Sequence, residues 1–225
     1  MNHLRLSSFA TERDLRLAII ETGHICYATG LMHANTGNIS MRLGEERVVI
    51  TPSKLCKGRL EADDLFIIDL NGAILKSNET HKRKYSSEAP IHLEVYRQRP
   101  DVRAIIHAHP PNAVALTVAG MPFPIDVLPE VLEGLGPVPT SRFALPGTED
   151  SAEAIREFVK GHKAILLRNH GAITYGEDLE QALNYMEQLE SVAKTLIIAK
   201  MLGQINHLPE SITSQMVEYY SKLTA

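Results

Sequence analysis

The sequence predicts an α/β protein in which a largely antiparallel sheet is packed with helices. Three observations predict it. Short apolar segments come in pairs joined by tight turns, residues 39–43 with 48–50 and residues 65–70 with 73–75, which is hairpin spacing. Longer segments, above all the one after Asp178, keep helical spacing instead. Hairpins and helices do not alternate as in a repeating parallel βαβ fold. The 225 residues carry no Pro/Gly/Ser-rich linker. That fits a single domain over 1–225, which at this size buries roughly 70% of its unfolded surface.

The elements follow in order. Thr11 N-caps the first helix, and Asp14 places negative charge at its positive end. Leu15, Ala18, Ile19, Thr22 and Cys26 share a face, and Gly30 stops the helix. Gly37 breaks the chain before a strand in which Ile39, Met41 and Leu43 alternate. Gly44-Glu45-Glu46 turns it into Val48-Val49-Ile50, and Thr51-Pro52-Ser53-Lys54 is a loop. Asp63-Asp64 precedes the strand at 65–70, and Asn71-Gly72 signals a type I′ turn. The polar stretch 77–85 reads as an exposed loop.

Ser86, Ser87 and Glu88 open a helix that Arg99-Pro100-Asp101 ends. Residues 102–106 read as a buried strand that delivers His107 and His109, and its two-residue repeat points both imidazoles to one face. Pro110-Pro111-Asn112 caps a short helix through Val118, ended by Gly120. Residues 121–148 are dense in proline and glycine and read as irregular, with one strand near Val138. Residues 149–160 form a helix, 163–167 a strand, Arg168-Asn169-His170-Gly171 a turn, and 172–175 another strand. Asp178 N-caps a long helix to about Met201, and a last helix at 211–223 carries Tyr219 and Tyr220.

Composition removes several functions. The hydrophobic fraction is 44%, the charged fraction 22% and the net charge −4, as in an ordinary globular domain. Lys82-Arg83-Lys84 is too short for a nucleic-acid footprint. No stretch approaches the about 18 apolar residues of a membrane span, so no membrane partner is expected. Cys26 and Cys56 make no disulfide framework, and the N-terminus has no apolar core of a signal peptide. A reducing, cytoplasmic location is expected.

The ten histidines divide by context. His-x-His on a strand is more often a polar strand face than a metal site. Here the apolar run Ala104-Ile105-Ile106 puts both rings at the end of a buried strand. His170 follows another apolar strand directly and is the best third ligand. Three neutral imidazoles with one open position suit a catalytic zinc. Two cysteines exclude a Cys-rich structural zinc. His3, His81, His162 and His207 lie in polar or terminal stretches and read as surface, His24 as packing or surface, and His33 stays open. His92 stands four residues after Glu88 on the same helical face, and either bonds that carboxylate or packs. Glu88 is either an ordinary capping residue or a general base beside a metal. Thr36-Gly37-Asn38 and Ser86-Ser87 offer small donors and a helix start to an anion, although each alone is more often a turn or cap. No P-loop or G-x-G-x-x-G is present.

Taken in order, Thr36-Gly37-Asn38-Ile39-Ser40, then Ser86-Ser87-Glu88 with His107-Ala108-His109, then Asn169-His170-Gly171, the chain resembles the class II aldolase/adducin superfamily. The likeness spans nearly the whole chain. It implies a three-layer α/β/α domain around a mostly antiparallel sheet, often a homotetramer with active sites at subunit interfaces. It implies Zn2+, or another divalent metal such as Mn2+ or Co2+, on His107, His109 and His170. Glu88 becomes the acid/base and a metal ligand when substrate is absent. Gly37, Asn38, Ser53, Lys54, Ser86 and Ser87 match the phosphate positions. The implied activity is reversible cleavage of a small ketose 1-phosphate to dihydroxyacetone phosphate and an aldehyde. Epimerase, decarboxylase or dehydratase chemistry through the same metal-stabilised enediolate is the alternative, and a non-catalytic adducin-head-like module is the other. Two departures stand out. Lys54 replaces the usual glycine of a phosphate loop, either adding charge or crowding the site. Residues 121–135 hold no tyrosine where the family's aldolases carry a proton donor, while Tyr219 and Tyr220 resemble the C-terminal tyrosine lent by a neighbouring subunit.

Overall fold

The computed structural model describes Leu4 and residues 11–77 and 83–223. His3, His81 and the middle of the 77–85 loop lie outside the described residues. One seven-stranded sheet runs in the order β4-β3-β2-β1-β5-β7-β6. Its strands are β1 (Asn38–Leu43), β2 (Arg47–Ile50), β3 (Phe66–Asp69), β4 (Ile74–Lys76), β5 (Ala104–Ala108), β6 (Ala164–Leu167) and β7 (Gly171–Gly176). Every ladder is antiparallel. The helices are α1 (Glu12–Ala28), α2 (Ala89–Gln98), α3 (Pro111–Val118), α4 (Glu149–Ile155), α5 (Leu179–Leu202) and α6 (Glu210–Leu223).

Strand alternation sorts the core into two layers. Ile39, Met41, Ala104, Ile106 and Ala108 face one side, where residues of α1, α3 and α5 cover them. Val48, Ile50, Ile105 and Ile173 face the other, beneath α2 and α4. The result is the expected α/β/α sandwich. No helix among the described residues is long and apolar enough to cross a membrane. Cys26 and Cys56 are free thiols.

Four expectations change. No strand forms near Val138. Pro137 and Pro139 remove the donors a ladder needs, and the pairing there is a single parallel bridge, Thr140 to Leu166. One π-type turn, Val131–Leu135, occupies the same irregular region. The Asn71-Gly72 turn is not type I′. Only Gly72 takes positive φ, 86°, and the Asp69 carboxylate accepts the N–H groups of Asn71 and Ala73, both at 2.8 Å. The helix expected at 149–160 ends at Ile155 and continues as tight turns, with Phe158 N–H on the Ile155 carbonyl and Gly161 N–H on that of Phe158. The helix expected from Ser86 starts at Ala89.

A short 3₁₀ turn, Lys57–Arg59, lies directly on α1. The contact is possible because α1 offers Gly23 there. A Cβ at Gly23 would stand 2.4 Å from the Lys57 carbonyl oxygen. Gly23→Ala is therefore expected to lower the unfolding free energy by about 1–3 kcal/mol, although alanine is the better helix former. Urea denaturation should give a lower midpoint at unchanged slope, and an unchanged or higher midpoint would contradict the contact.

Candidate metal centre

All the pieces of the site arrive at one end of the sheet. The C-terminal end of β5 brings His107 and then His109. The β6–β7 turn brings His170. The start of β1 brings Asn38, which lies opposite His107 in the ladder. The N-terminus of α2 brings Glu88.

Glu88 stands at the N-cap of α2, yet its side chain caps nothing. It turns into the cluster instead. One carboxylate oxygen lies 2.9 Å from His107 Nε2, and the other lies 3.2 Å from His170 Nε2. His109 Nε2 is 3.2 Å from His107 Nε2. The three ring centroids are 4.9–5.0 Å apart. One donor atom from each of Glu88, His107, His109 and His170 falls within 4.8 Å of the rest.

This donor set fits a divalent cation. His107 Nδ1–H donates to the Ala172 carbonyl at 2.9 Å, which leaves Nε2 as the inward lone pair. Two imidazole nitrogens aimed at each other need a proton or a cation between them. Tetrahedral zinc with bonds near 2.0–2.1 Å spaces its donors about 3.3 Å apart, close to the contacts seen. Gly171 makes the convergence possible: a Cβ there would meet the Ala108 carbonyl oxygen at 2.5 Å and the rings of His107 and His109 at 2.9 Å.

Without a cation the cluster is strongly coupled. Burial alone would raise the Glu88 carboxyl, but His107 and His170 outweigh it and hold it well below the usual carboxylate range. Burial alone would lower His107, but the Glu88 carboxylate pushes it up. Burial, with the charges of His107 and His170, holds His109 down to about 3.

Behind Glu88 runs a buried hydrogen-bond chain. Asn38 Nδ2 donates to the Glu88 carboxylate at 3.0 Å. Its Oδ1 must then accept, so His92 carries its proton on Nε2 and donates at 2.5 Å. His92 Nδ1 accepts from Ser40 Oγ at 2.7 Å, and Ser40 accepts from Tyr96 OH at 2.9 Å. Desolvation, aided by His107, holds His92 down to about 3 and keeps it neutral. His92 thus reaches Glu88 through Asn38, not directly.

The loops matched to phosphate positions are laced together by Thr51. Its Oγ1 accepts Ile39 N–H at 3.1 Å, and its carbonyl accepts Ser86 N–H at 3.0 Å. Pro52 and Tyr85 form a bridge, and Ser53 N–H donates to the Lys84 carbonyl. Gly37 has φ 72°, and a Cβ there would strike Met32 and the His107 carbonyl oxygen. Lys54 is exposed and keeps the left-handed backbone of a glycine, φ 57°. Ser86 is buried, its Oγ accepting Glu88 N–H, and Ser87 is exposed.

Tyr219 and Tyr220 are not brought to the cluster within the chain. They pair with each other on α6, which packs on the turn at 131–135, and Tyr219 is 61% exposed. His24 and His207 are exposed, and His162 bonds the Phe158 carbonyl. His33 is exposed but near enough to act on His109. The sequence reading missed Ser40, Tyr96 and a cavity beside Glu88 and His170 lined by Ser141, Arg142 and Arg168. The alternation of Asn38, Ser40 and Arg42 along β1, polar on a face that is buried, is the signal from which the chain of hydrogen bonds could have been read.

Two outcomes follow from this geometry. His92→Phe takes the donor from Asn38 Oδ1 and the acceptor from the Ser40 hydroxyl, which keeps only Tyr96, a loss of about 2–4 kcal/mol, whereas Tyr96→Phe removes only the last donor and costs about 1 kcal/mol. Equal losses in chemical denaturation would refute the directional chain. Second, a divalent cation on His107, with Zn2+ as the probe, would have to displace the proton that Glu88 favours there. Its apparent affinity should fall as pH is lowered through the histidine range, with proton release seen by calorimetry in two buffers. An affinity independent of pH would exclude His107 as a ligand.

Known proteins share this sequence pattern and fold. The family model for the Class II Aldolase and Adducin N-terminal domain matches residues 17–197. The chain is 30% identical over 196 residues to a 3-oxo-tetronate 4-phosphate decarboxylase of Pectobacterium atrosepticum, covering 85% of this chain and 88% of that protein. It is 31% identical over 197 residues to a 5-deoxy-D-ribulose 1-phosphate aldolase of Bacillus thuringiensis, covering 87% and 90%. A solved L-fuculose 1-phosphate aldolase superposes with a TM-score of 0.84 at 29% identity, covering 98% of this chain and 100% of that one. With four-fifths of its length matched by the family model, the chain belongs to the class II aldolase and adducin N-terminal domain family.

Proposed function

We propose that this protein is a zinc-dependent aldolase that reversibly cleaves a small ketose 1-phosphate to dihydroxyacetone phosphate and an aldehyde. The observation that carries the reading is the orientation of Glu88. A carboxylate that leaves its helix cap to face three imidazoles, beside loops suited to an anion, is placed for proton transfer at a metal-bound substrate.

His107, His109 and His170 would hold the cation, with the Glu88 carboxylate completing the set until substrate enters. Zn2+ suits these nitrogen and oxygen donors, and Mn2+ or Co2+ would be accepted by them. When bound, the cation supplies Lewis-acid stabilisation of the negative charge that develops at the carbonyl end of the substrate. The backbone at Gly37 and Asn38, the loop at Ser53 and Lys54, and Ser86 with Ser87 bind the phosphate and so orient the ketose chain. Glu88 delivers a proton to the carbon freed by C–C cleavage and removes it in the synthetic direction. Asn38 holds the carboxylate in place for both. The hydroxyl that becomes the aldehyde needs a second acid/base, which Tyr219 or Tyr220 of a neighbouring subunit supplies in a homotetramer with interfacial sites. The exposed apolar residues of α6, Ile212 and Val217, support such an assembly. The free thiols suit a cytoplasmic setting.

A second reading is decarboxylation of a phosphorylated keto acid. Arg168, on the cavity beside Glu88 and His170, favours a substrate carrying a carboxylate, and the decarboxylase relative is as similar as the aldolase. The complete donor set speaks against a non-catalytic module.

Elemental analysis and a screen of ketose 1-phosphates for dihydroxyacetone phosphate release test the reading. His107→Ala and His170→Ala should lose both metal and turnover. Glu88→Gln should keep the metal and lose turnover by about 10²- to 10⁴-fold. Metal-loaded protein that releases no dihydroxyacetone phosphate, but carbon dioxide from a phosphorylated 3-keto acid, would replace the aldolase with the decarboxylase.

A further inference from the structure

Lys57 is the one buried lysine among the described core residues, 2% exposed. Its ammonium donates to the Asn35 carbonyl at 3.0 Å and to the Leu55 carbonyl at 2.7 Å. Asn35 lies two residues before Gly37, and Leu55 directly follows Lys54. One ammonium therefore ties together the two loops on either side of the β1–β2 hairpin. An ammonium has three donors, and these two carbonyls use two of them. No carboxylate lies within ion-pair distance of Lys57 among the described residues. The charge nonetheless acts on Glu88 and on His107, so it stands within electrostatic range of the metal centre. Its burial is built in, since Gly23 of α1 lets the Lys57 turn seat against the helix.

A buried cation without a counter-ion is unfavourable unless an anion completes it. We infer that Lys57 is the fixed positive charge of the substrate's phosphate site, lying beneath the Gly37 loop and the Ser53–Lys54 loop and joining them into one anion cradle. The inference rests on the reading of the substrate as a phosphate ester and adds the residue that matches its charge. It also separates the two lysines of this segment. Lys54 is exposed at the rim, where solvent screens it. Lys57 is largely desolvated, where a charge is screened less. Burial draws the Lys57 ammonium down to about 8, opposed by Cys56 and Glu88, as suits a site poised to gain an anion.

Equilibrium dialysis of inorganic phosphate against the metal-loaded protein tests this. Wild type and Lys57→Arg should bind phosphate with similar affinity. Lys57→Met, of similar length but neutral, should lose about tenfold or more while keeping its circular dichroism spectrum and metal content. A lysine that only braces the loops would change thermal stability and leave phosphate affinity untouched, and that result in folded Lys57→Met overturns the inference while the phosphate-ester reading stands. Wild type that binds no phosphate overturns both. Should Lys57→Met fail to fold, the Lys57 Nζ resonance of ¹⁵N-lysine-labelled wild type, assigned by its loss in Lys57→Arg, decides the matter. It should shift as phosphate is added, and an unmoved resonance in phosphate-saturated protein refutes the assignment.

Discussion

The ion pair between the Glu88 carboxylate and the His107 imidazole, 2.9 Å long in a nearly solvent-free pocket, is the interaction on which the rest of the site depends. A carboxylate in such a place is tolerated only if its charge is met on several sides. His107 and His170 meet it in front, and the Asn38 amide meets it from behind. The N-terminal end of α2 adds its dipole, since the helix begins one residue later. None of these groups is positioned by Glu88 itself. Each comes from a different element, so the carboxylate reports whether the sheet end has been assembled correctly.

The antiparallel sheet is what makes that assembly possible. In such a sheet the start of one strand lies beside the end of its neighbour. Asn38 at the start of β1, His107 near the end of β5 and Gly171 at the start of β7 therefore meet without a long crossover. The connecting loops bear the strain. Ala34, Lys54 and Asn169, the non-glycine residues with left-handed backbones among those described, lie in the loop before Gly37, in the loop after β2 and in the turn before His170. Each such conformation costs about 1–2 kcal/mol, and their gathering at one edge of the fold is what a functional site leads one to expect. Lys54 shows how a lysine can hold such a backbone: the chain keeps the left-handed shape usual for glycine and the side chain goes to solvent.

Much of this was legible in the sequence because it rests on short-range physics. Period-two runs located the central strands, and helical spacing with the Asp178 cap located α5. The match of three short motifs in order gave the four residues that converge. What escaped were the features set by contacts between distant segments. Glu88 reads equally as a cap, and only the position of β5 beside it decides otherwise. The spacing that put His92 on the face of Glu88 was right, yet an amide from β1 comes between them. Proline-flanked Val138 is buried like a strand residue but has no ladder to join. The tail tyrosines pair with each other on α6 and are not brought to the cluster within the chain, which no local pattern could foretell.

The chain of hydrogen bonds behind Glu88 passes through an amide, and that has a consequence for how protons travel. Tyr96, Ser40 and His92 are each able to hand a proton on, but Asn38 is not, because an amide side chain neither gains nor gives up a proton under ordinary conditions. The chain orients the carboxylate while remaining an electrical dead end. A proton on Glu88 has no exit along this chain. The groups that can share it, His107 and His170, face the pocket together with the carboxylate, so an acid/base confined in this way would return its proton to the face from which it was taken.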